Sequence, residues 1–160
     1  NNKLIGFALQ DVNKINFFNS QKIDFYKILN EDIANEQLLE KISLNKDVLK
    51  FISISNDSII IINKAIKKLK NKKKIILSIT DFNKRLDLNK LKKIKEFKKK
   101  FHLKVGYGNH SQVSDLKKLF KYNLDVLLFY VKLPDKKIYP DDLYSIKLNS
   151  SVDNIYNSFI

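Results

Sequence analysis

The alternation of short apolar segments with amphipathic ones constrains the fold of this chain more than any other feature of its sequence. Each apolar segment has the length of a buried strand, and the segment after it places apolar residues at helical spacing. A chain that alternates in this way forms a parallel sheet with right-handed crossovers. The predicted strands are 4–9, 23–29, 48–55, 74–80, 104–110 and 125–132, and the predicted helices are 11–21, 33–44, 59–71, 87–101, 112–122 and 151–159.

The helical spacing also predicts which residues face the core. In the first helix these are Ile15, Phe17 and Phe18, and in the fourth they include Leu88 and Leu91. Apolar residues three or four positions apart form one stripe along a helix, and that stripe packs against the sheet. The loops 56–58 and 81–83 are expected to link strands to the following helices.

Polar side chains stand at or near the carboxyl ends of the predicted strands, where parallel α/β proteins hold their functional residues. The fifth strand ends in Asn109 and His110, Thr80 closes the fourth, and Ser53 lies near the end of the third. Lys27 lies within the second strand, where a cation needs a partner. Because such strand ends meet at one edge of a sheet, we predict that Lys27, Ser53, Thr80 and His110 are neighbours.

Composition narrows the classes of protein to consider. The chain has 160 residues, which is enough for one domain with a core, and it has no cysteine for disulfides or for thiol chemistry. No glycine-rich loop follows the first strand, so neither a dinucleotide fingerprint nor a P-loop is present. The sequence shows neither a signal peptide nor an apolar run long enough to cross a bilayer, which favours a cytoplasmic protein without membrane contact.

The net charge of +14 raises the question of nucleic-acid binding. Arg85 is the only arginine, although arginine is the usual reader of bases and phosphates. We therefore expect the lysine-rich segments 67–74 and 92–100 to be the solvent-facing sides of helices, with attraction of anions as a weaker alternative. Nucleic acid is the least favoured partner.

The order and spacing of the strand ends resemble the sialic acid (nonulosonate) synthase family, a group of TIM-barrel enzymes. The match with most residues is the family's V-G-Y-S-D-H-T, which stands here as V-G-Y-G-N-H-S at 105–111. The other matched motifs are F-K-I-x-S-G-D at 26–32, P-I-L-S-T-G-M at 49–55, L-L-H-C-x-S-x-Y-P at 76–84, I-E-K-H-F at 127–131, and P-D-H followed by S-L at 140–142 and 145–146.

The resemblance implies a fold and a reaction. The fold would be a TIM-type (β/α) barrel in which 1–160 supplies strands three to eight, without the family's N-terminal βαβα segment and C-terminal antifreeze-like module. Six strands leave two open edges, so we expect either a preceding segment or another cover for the sheet. The reaction would condense phosphoenolpyruvate with an N-acylated mannosamine-type sugar, and the family is also compatible with a homodimer.

The resemblance also implies roles for individual residues. Lys27 and Ser53 would hold phosphoenolpyruvate, with Thr80 as a further substrate-binding residue. His110 would bind a divalent metal, Mn or Mg. Lys27 and His110 would be the catalytic residues. Asp32 and Asp141 would bind the sugar.

Departures from the family motifs leave a second hypothesis open. Tyr130 stands at the second metal-binding histidine and Leu128 at the adjacent glutamate, while Gly108 and Asn109 replace a serine and an aspartate. A single imidazole is a poor site for a hard cation without carboxylates. The alternative is a binding or scaffold barrel that kept the fold and lost the reaction, with His110 as a structural residue.

Overall fold

A computed structural model describes residues 4–83, 85–110, 118–132 and 145–147 of this chain. Its backbone contacts divide the chain into two compact units. The first unit contains Asn1–Ser78 and Phe101–Lys104, and the second unit contains Ile79–Lys100 and Val105–Ile160.

Parallel strands form the sheet, as the sequence predicts. The strands are β1 (Gly6–Ala8), β2 (Phe25–Ile28), β3 (Leu49–Ile54), β4 (Ile75–Asp81), β5 (Lys104–Asn109) and β6 (Val126–Phe129). They follow the chain order β1-β2-β3-β4-β5-β6. The pairs β1–β2 and β2–β3 of the first unit and β5–β6 of the second are parallel. The predicted parallel α/β class is confirmed, whereas barrel closure and the assignment to strands three to eight stay predictions.

Helices connect these strands, and side-chain caps stand at the beginning of two of them. They are α1 (Ile15–Ser20), α2 (Glu36–Leu44), α3 (Ile59–Leu69) and α4 (Leu88–Phe101). The side chain of Asn35 accepts a hydrogen bond from the Leu38 amide before α2, and Ser58 does the same for Ile61 before α3. Such caps satisfy amides that have no partner inside the helix.

The predicted apolar faces of α2 and α3 form part of the core of the first unit. Their residues are buried where the helical spacing predicts it: Leu38, Leu39, Ile42, Ile62, Ala65, Ile66 and Leu69. Ile60 of α3 lies outside this apolar stripe and is exposed.

The predicted burial of two residues, Phe17 and Leu88, is wrong. Phe17 is 60% exposed, because it lies two residues after the buried Ile15 on α1 and therefore on the opposite side of this helix. Leu88 is also exposed, since it is the first residue of α4. Helical spacing accounts for the exposure of Phe17, whereas the exposure of Leu88 is an effect of the helix end.

The sixth predicted strand is shorter than expected. It ends at Phe129, and after Tyr130 the chain forms β7 (Val131–Lys132), which pairs in parallel with β8 (Ile146–Lys147) in a separate sheet. The predicted helix 151–159 and most of the loop after β7 lie outside the described residues. Within the described ranges, no helix combines the length and apolarity that a bilayer crossing requires.

Candidate functional site

Lys27 and Ser53 lie on the same face of the sheet in the first unit. Lys27 pairs with Phe51 in the register of β2 and β3. Paired residues of neighbouring strands point to the same face, and every second residue along a strand returns to it. Ser53 follows Phe51 by two positions, so the half-buried Lys27 and the buried Ser53 share a face of the sheet.

Two of the polar groups in the first unit that were predicted to bind substrate are buried without a hydrogen bond inside the described structure. Ser53 is 2% exposed, and its Oγ has no hydrogen-bond partner among the described residues. The same holds for Oδ2 of Asp32, which ends a 3₁₀ turn directly after β2. Ser78 Oγ, at the position of the histidine in the family's L-L-H-C motif, is a third such atom. Unsatisfied buried groups cost free energy, and a ligand or water that bonds to them removes that cost.

The opposite face of β2 and β3 holds a buried lysine that the sequence analysis did not single out. Lys50 pairs with Tyr26 in the sheet register, and both residues are fully buried. The Lys50 ammonium donates a hydrogen bond to the carbonyl oxygen of Asn45. Burial lowers the pKa of Lys50 to about 8. The negative charge of Asp47 acts to raise this pKa, and the positive charge of Lys74 lowers it further.

Asp81 is the centre of a buried hydrogen-bond network in the second unit. The sequence analysis placed it in a loop, but it is the last residue of β4 and is 1% exposed. Its Oδ2 accepts hydrogen bonds from the Tyr107 hydroxyl at 2.6 Å and from the Asp87 amide at 3.0 Å. Its Oδ1 accepts from the Asn83 side chain at 2.8 Å and from the Lys90 ammonium at 3.3 Å.

The network keeps the Asp81 carboxylate charged. Burial acts to raise the pKa of Asp81, but the hydrogen bonds from Tyr107, Asp87 and Asn83 and the charge of Lys90 outweigh it and lower this pKa. The pKa of Tyr107 is raised, mainly by burial and further by its bond to Asp81. This carboxylate therefore fixes both ends of the loop that joins β4 to α4.

His110 follows β5 directly and lies between two aromatic rings. Its imidazole stacks on Phe82 with ring centroids 4.6 Å apart and on Tyr130 with centroids 4.1 Å apart. Two rings cannot stack on the same side of one imidazole, so Phe82 and Tyr130 occupy its opposite faces. His110 is 7% exposed. Tyr130, which stands at the family's second histidine, thus packs against the first one.

Thr80 lies on the face of the second unit that carries His110. Residues an odd number of positions apart along a strand point to opposite faces. Thr80 therefore points away from Asp81 in β4, and His110, directly after β5, points away from Tyr107. The Lys90 ammonium donates to the Thr80 carbonyl oxygen at 3.1 Å, which fixes the backbone of this strand end. Asp141 lies outside the described residues.

The described residues do not provide the donor set that a divalent metal needs. Hard cations require several oxygen or nitrogen ligands around one point. Within the described ranges, no three His, Cys, Asp or Glu side chains come together in this way. His110 alone does not fit the Mn or Mg ion that the resemblance implies, and the metal stays a prediction.

Several solved structures share this fold. A sialic acid synthetase from Leptospira borgpetersenii matches with a TM-score of 0.75 and 20% identity, over 93% of this chain and 55% of its own. The spore coat polysaccharide biosynthesis protein spsE from Bacillus subtilis matches with a TM-score of 0.77 and 16% identity, over 95% of this chain and 45% of its own. A truncated 3-deoxy-D-arabino-heptulosonate 7-phosphate synthase from Thermotoga maritima matches with a TM-score of 0.78 and 14% identity, over 98% of this chain and 64% of its own. These likenesses show a parallel α/β fold, and this chain spans less than two thirds of each of these structures.

The family model named NeuB matches residues 7–118, which is well over half of the chain. The chain belongs to the NeuB family, which confirms the resemblance to sialic acid synthases. No curated protein sequence matches it significantly.

Proposed function

We propose that this protein binds phosphoenolpyruvate and an N-acylated amino sugar, and that it is a sialic acid synthase-like barrel with a reduced catalytic site. Membership in the NeuB family supports the choice of substrates, because sialic acid synthases of this family use phosphoenolpyruvate and an amino sugar. The catalytic roles predicted for Lys27 and His110 belong to this proposal.

The observation that carries the proposal is the shared face of Lys27 and Ser53. Phosphoenolpyruvate presents phosphate and carboxylate oxygens, which accept hydrogen bonds from ammonium and hydroxyl groups. Ser53 Oγ is buried without a partner among the described residues, so an anion oxygen beside it would gain a bond that the protein itself leaves unmade. Leaving such a group unsatisfied costs about 1–3 kcal/mol.

Asp32 supports the sugar half of the proposal. Its Oδ2 is buried without a partner in the described structure, and it lies just after the strand that carries Lys27. A carboxylate oxygen in this position accepts a hydrogen bond from a sugar hydroxyl. Asp141, the other predicted sugar ligand, keeps this role as a prediction.

The test combines binding with turnover. We expect phosphoenolpyruvate to raise the melting temperature, since a ligand of the native state stabilises it. Release of phosphate that depends on N-acetylmannosamine, followed with and without manganese, measures any remaining condensation. A melting temperature unchanged by millimolar phosphoenolpyruvate, with or without the sugar, would overturn the proposal.

A non-catalytic binding barrel is the second candidate function. The stacking of Tyr130 on His110 favours it, because the residue at the family's second histidine here contributes a ring contact. This candidate predicts that phosphoenolpyruvate or the sugar raises the melting temperature while no phosphate is released. Sugar-dependent phosphate release would exclude it.

A further inference from the structure

A groove of about 490 Å³ lies in the second unit between α4 and the 3₁₀ turn Phe120–Tyr122. Leu91 and Ile94 of α4 form its buried floor, and the half-buried Tyr122 stands opposite them. Residues three or four positions apart on a helix face the same side, which is why α4 turns a whole stripe toward the groove. The other described residues that line it are Lys92, Lys95, Lys98, Lys121 and Asn123.

One of these lysines joins the two sides of the groove. The Lys98 ammonium donates a hydrogen bond to the carbonyl oxygen of Asn123 and pairs with Asp125 Oδ2 at 2.9 Å. The three other lysines form no ion pair within the part of the chain that the structure describes: Lys92, Lys95 and Lys121. The described residues of the lining include neither aspartate nor glutamate.

The lysine that faces the gap between α2 and α3 in the first unit is different. Lys68 of α3 lies 3.9 Å from Glu36 and 3.7 Å from Glu40, so carboxylates of α2 neutralise it. Like charges one turn apart on a helix repel each other, and that repulsion acts between Lys92 and Lys95. Each lysine also carries an apolar stem beneath its ammonium. The groove of the second unit is therefore cationic at its rim and apolar below.

We propose that this groove binds an acidic peptide segment of a partner protein. Carboxylates of the peptide pair with the ammonium groups of Lys92, Lys95 and Lys121, since opposite charges across an interface select the partner. An apolar side chain of the peptide enters between Ile94 and Tyr122, where its burial is favourable.

The lining favours a peptide over a nucleic acid. Single-stranded nucleic acids bind through phosphate contacts together with bases stacked on aromatic side chains. The described lining offers one aromatic side chain, Tyr122, and that residue is half-buried. The inference is independent of the proposed function, because the lining contains none of the residues assigned to phosphoenolpyruvate or to the sugar.

The test is fluorescence anisotropy with two labelled peptides of equal length, one that repeats Glu-Glu-Leu and one that repeats Glu-Glu-Ser. The wild type should bind the leucine peptide saturably. It should bind the serine peptide about tenfold more weakly, because serine buries little apolar surface.

Charge reversal tests where the peptide binds. The groove variant combines Lys92→Glu with Lys95→Glu, and we expect it to weaken binding of the leucine peptide more than about tenfold. The matched control combines Lys93→Glu with Lys100→Glu, which lie on the same helix outside the lining and change the net charge equally. It should bind as the wild type does. Circular dichroism melting curves establish that both variants are folded.

Several results would overturn the proposal. Equal loss of binding in the groove variant and the control would show attraction to the net charge alone. No binding by the wild type, or equal affinity for the two peptides, would remove the peptide site. Tighter binding of an oligodeoxythymidylate than of the leucine peptide, lost in the groove variant, would assign the groove to nucleic acid. A dimer in sedimentation that the groove variant abolishes would assign it to a second copy of this chain.

Discussion

Asp81 shows how one buried carboxylate organises the surroundings of the candidate site. It accepts hydrogen bonds from Tyr107, Asp87, Asn83 and Lys90 and lies in the interior of the second unit. Charge-assisted bonds of this kind are stronger than neutral ones, and their donors become unsatisfied when the acceptor is lost. The carboxylate therefore stabilises both the strand end and the loop that carries Phe82.

We expect Asp81→Asn to lower the free energy of unfolding by about 3 kcal/mol at neutral pH, as for other buried pairs that lose one member. The amide has no charge to hold Lys90 and cannot accept every bond of the carboxylate. Urea denaturation measures the change, with Glu96→Gln on the exposed side of α4 as the control. A loss below 0.5 kcal/mol would contradict this view of the network.

The pH dependence follows from the lowered pKa of Asp81. A carboxyl group whose pKa is lower in the folded state contributes stability above its unfolded pKa, about 3.9. That contribution is lost as the pH falls through the folded pKa. The difference in stability between the wild type and Asp81→Asn should therefore shrink below about pH 4.

Lys50 should also stabilise the protein more as the pH rises, but in a higher pH range than Asp81. Its pKa is about 8 in the folded protein, below the value near 10.4 of an exposed lysine, so the unfolded chain binds more protons between these values. Stability from this group should rise as the pH increases from 8 toward 10. Lys50→Met removes the rise, which denaturation at pH 7.5 and 9.5 measures, and the exposed Lys46→Met should behave as the wild type.

At the level of elements, the pairing of β5 with β6 depends on the absence of a side chain at Gly106. A Cβ atom there would lie 2.7 Å from the Val126 carbonyl oxygen and 3.0 Å from the Val126 Cβ. The two backbones would have to separate to relieve this contact. We expect Gly106→Ala to destabilise the protein by about 1–3 kcal/mol, the range for overpacking.

Thermal denaturation measures the effect of Gly106→Ala. Lys104→Ala, at an exposed position of the same strand, is the control and should change stability little. An equal melting temperature for Gly106→Ala and the wild type would show that the strands separate at no cost.

The sequence predicts the elements well because strands and helices depend on local patterns. The apolar spacing of α2 and α3 is local, and the structure buries these residues as such a pattern requires, although the cap at Asn35 makes α2 begin at Glu36 and not at residue 33. The Asp81–Tyr107 bond joins residues 26 positions apart, so no local pattern predicts it. The stack around His110 likewise depends on three strand ends and on Tyr130 taking up one face of the ring.

For the whole molecule, the order of parallel strands and the family motifs agree on one fold. The NeuB match over residues 7–118 includes Lys27, Asp32, Ser53, Thr80 and His110. Of the predicted site residues that the structure describes, Lys27, Asp32 and Ser53 belong to the first unit, and Thr80 and His110 belong to the second. Among the described residues, the first unit contains the unsatisfied hydroxyl of Ser53, and the second contains the ring stack at His110.

Calorimetric titration with phosphoenolpyruvate tests the central claim, that Lys27 and Ser53 hold an anion, most directly. The wild type should bind it saturably, as should Lys22→Met, an exposed lysine near β2, and Ser43→Ala, a buried serine whose hydroxyl is already bonded. Lys27→Met and Ser53→Ala should each weaken binding about tenfold, which is the loss of one charge-assisted hydrogen bond. Binding by these two variants as tight as that of the wild type, or no binding by the wild type, would contradict the account.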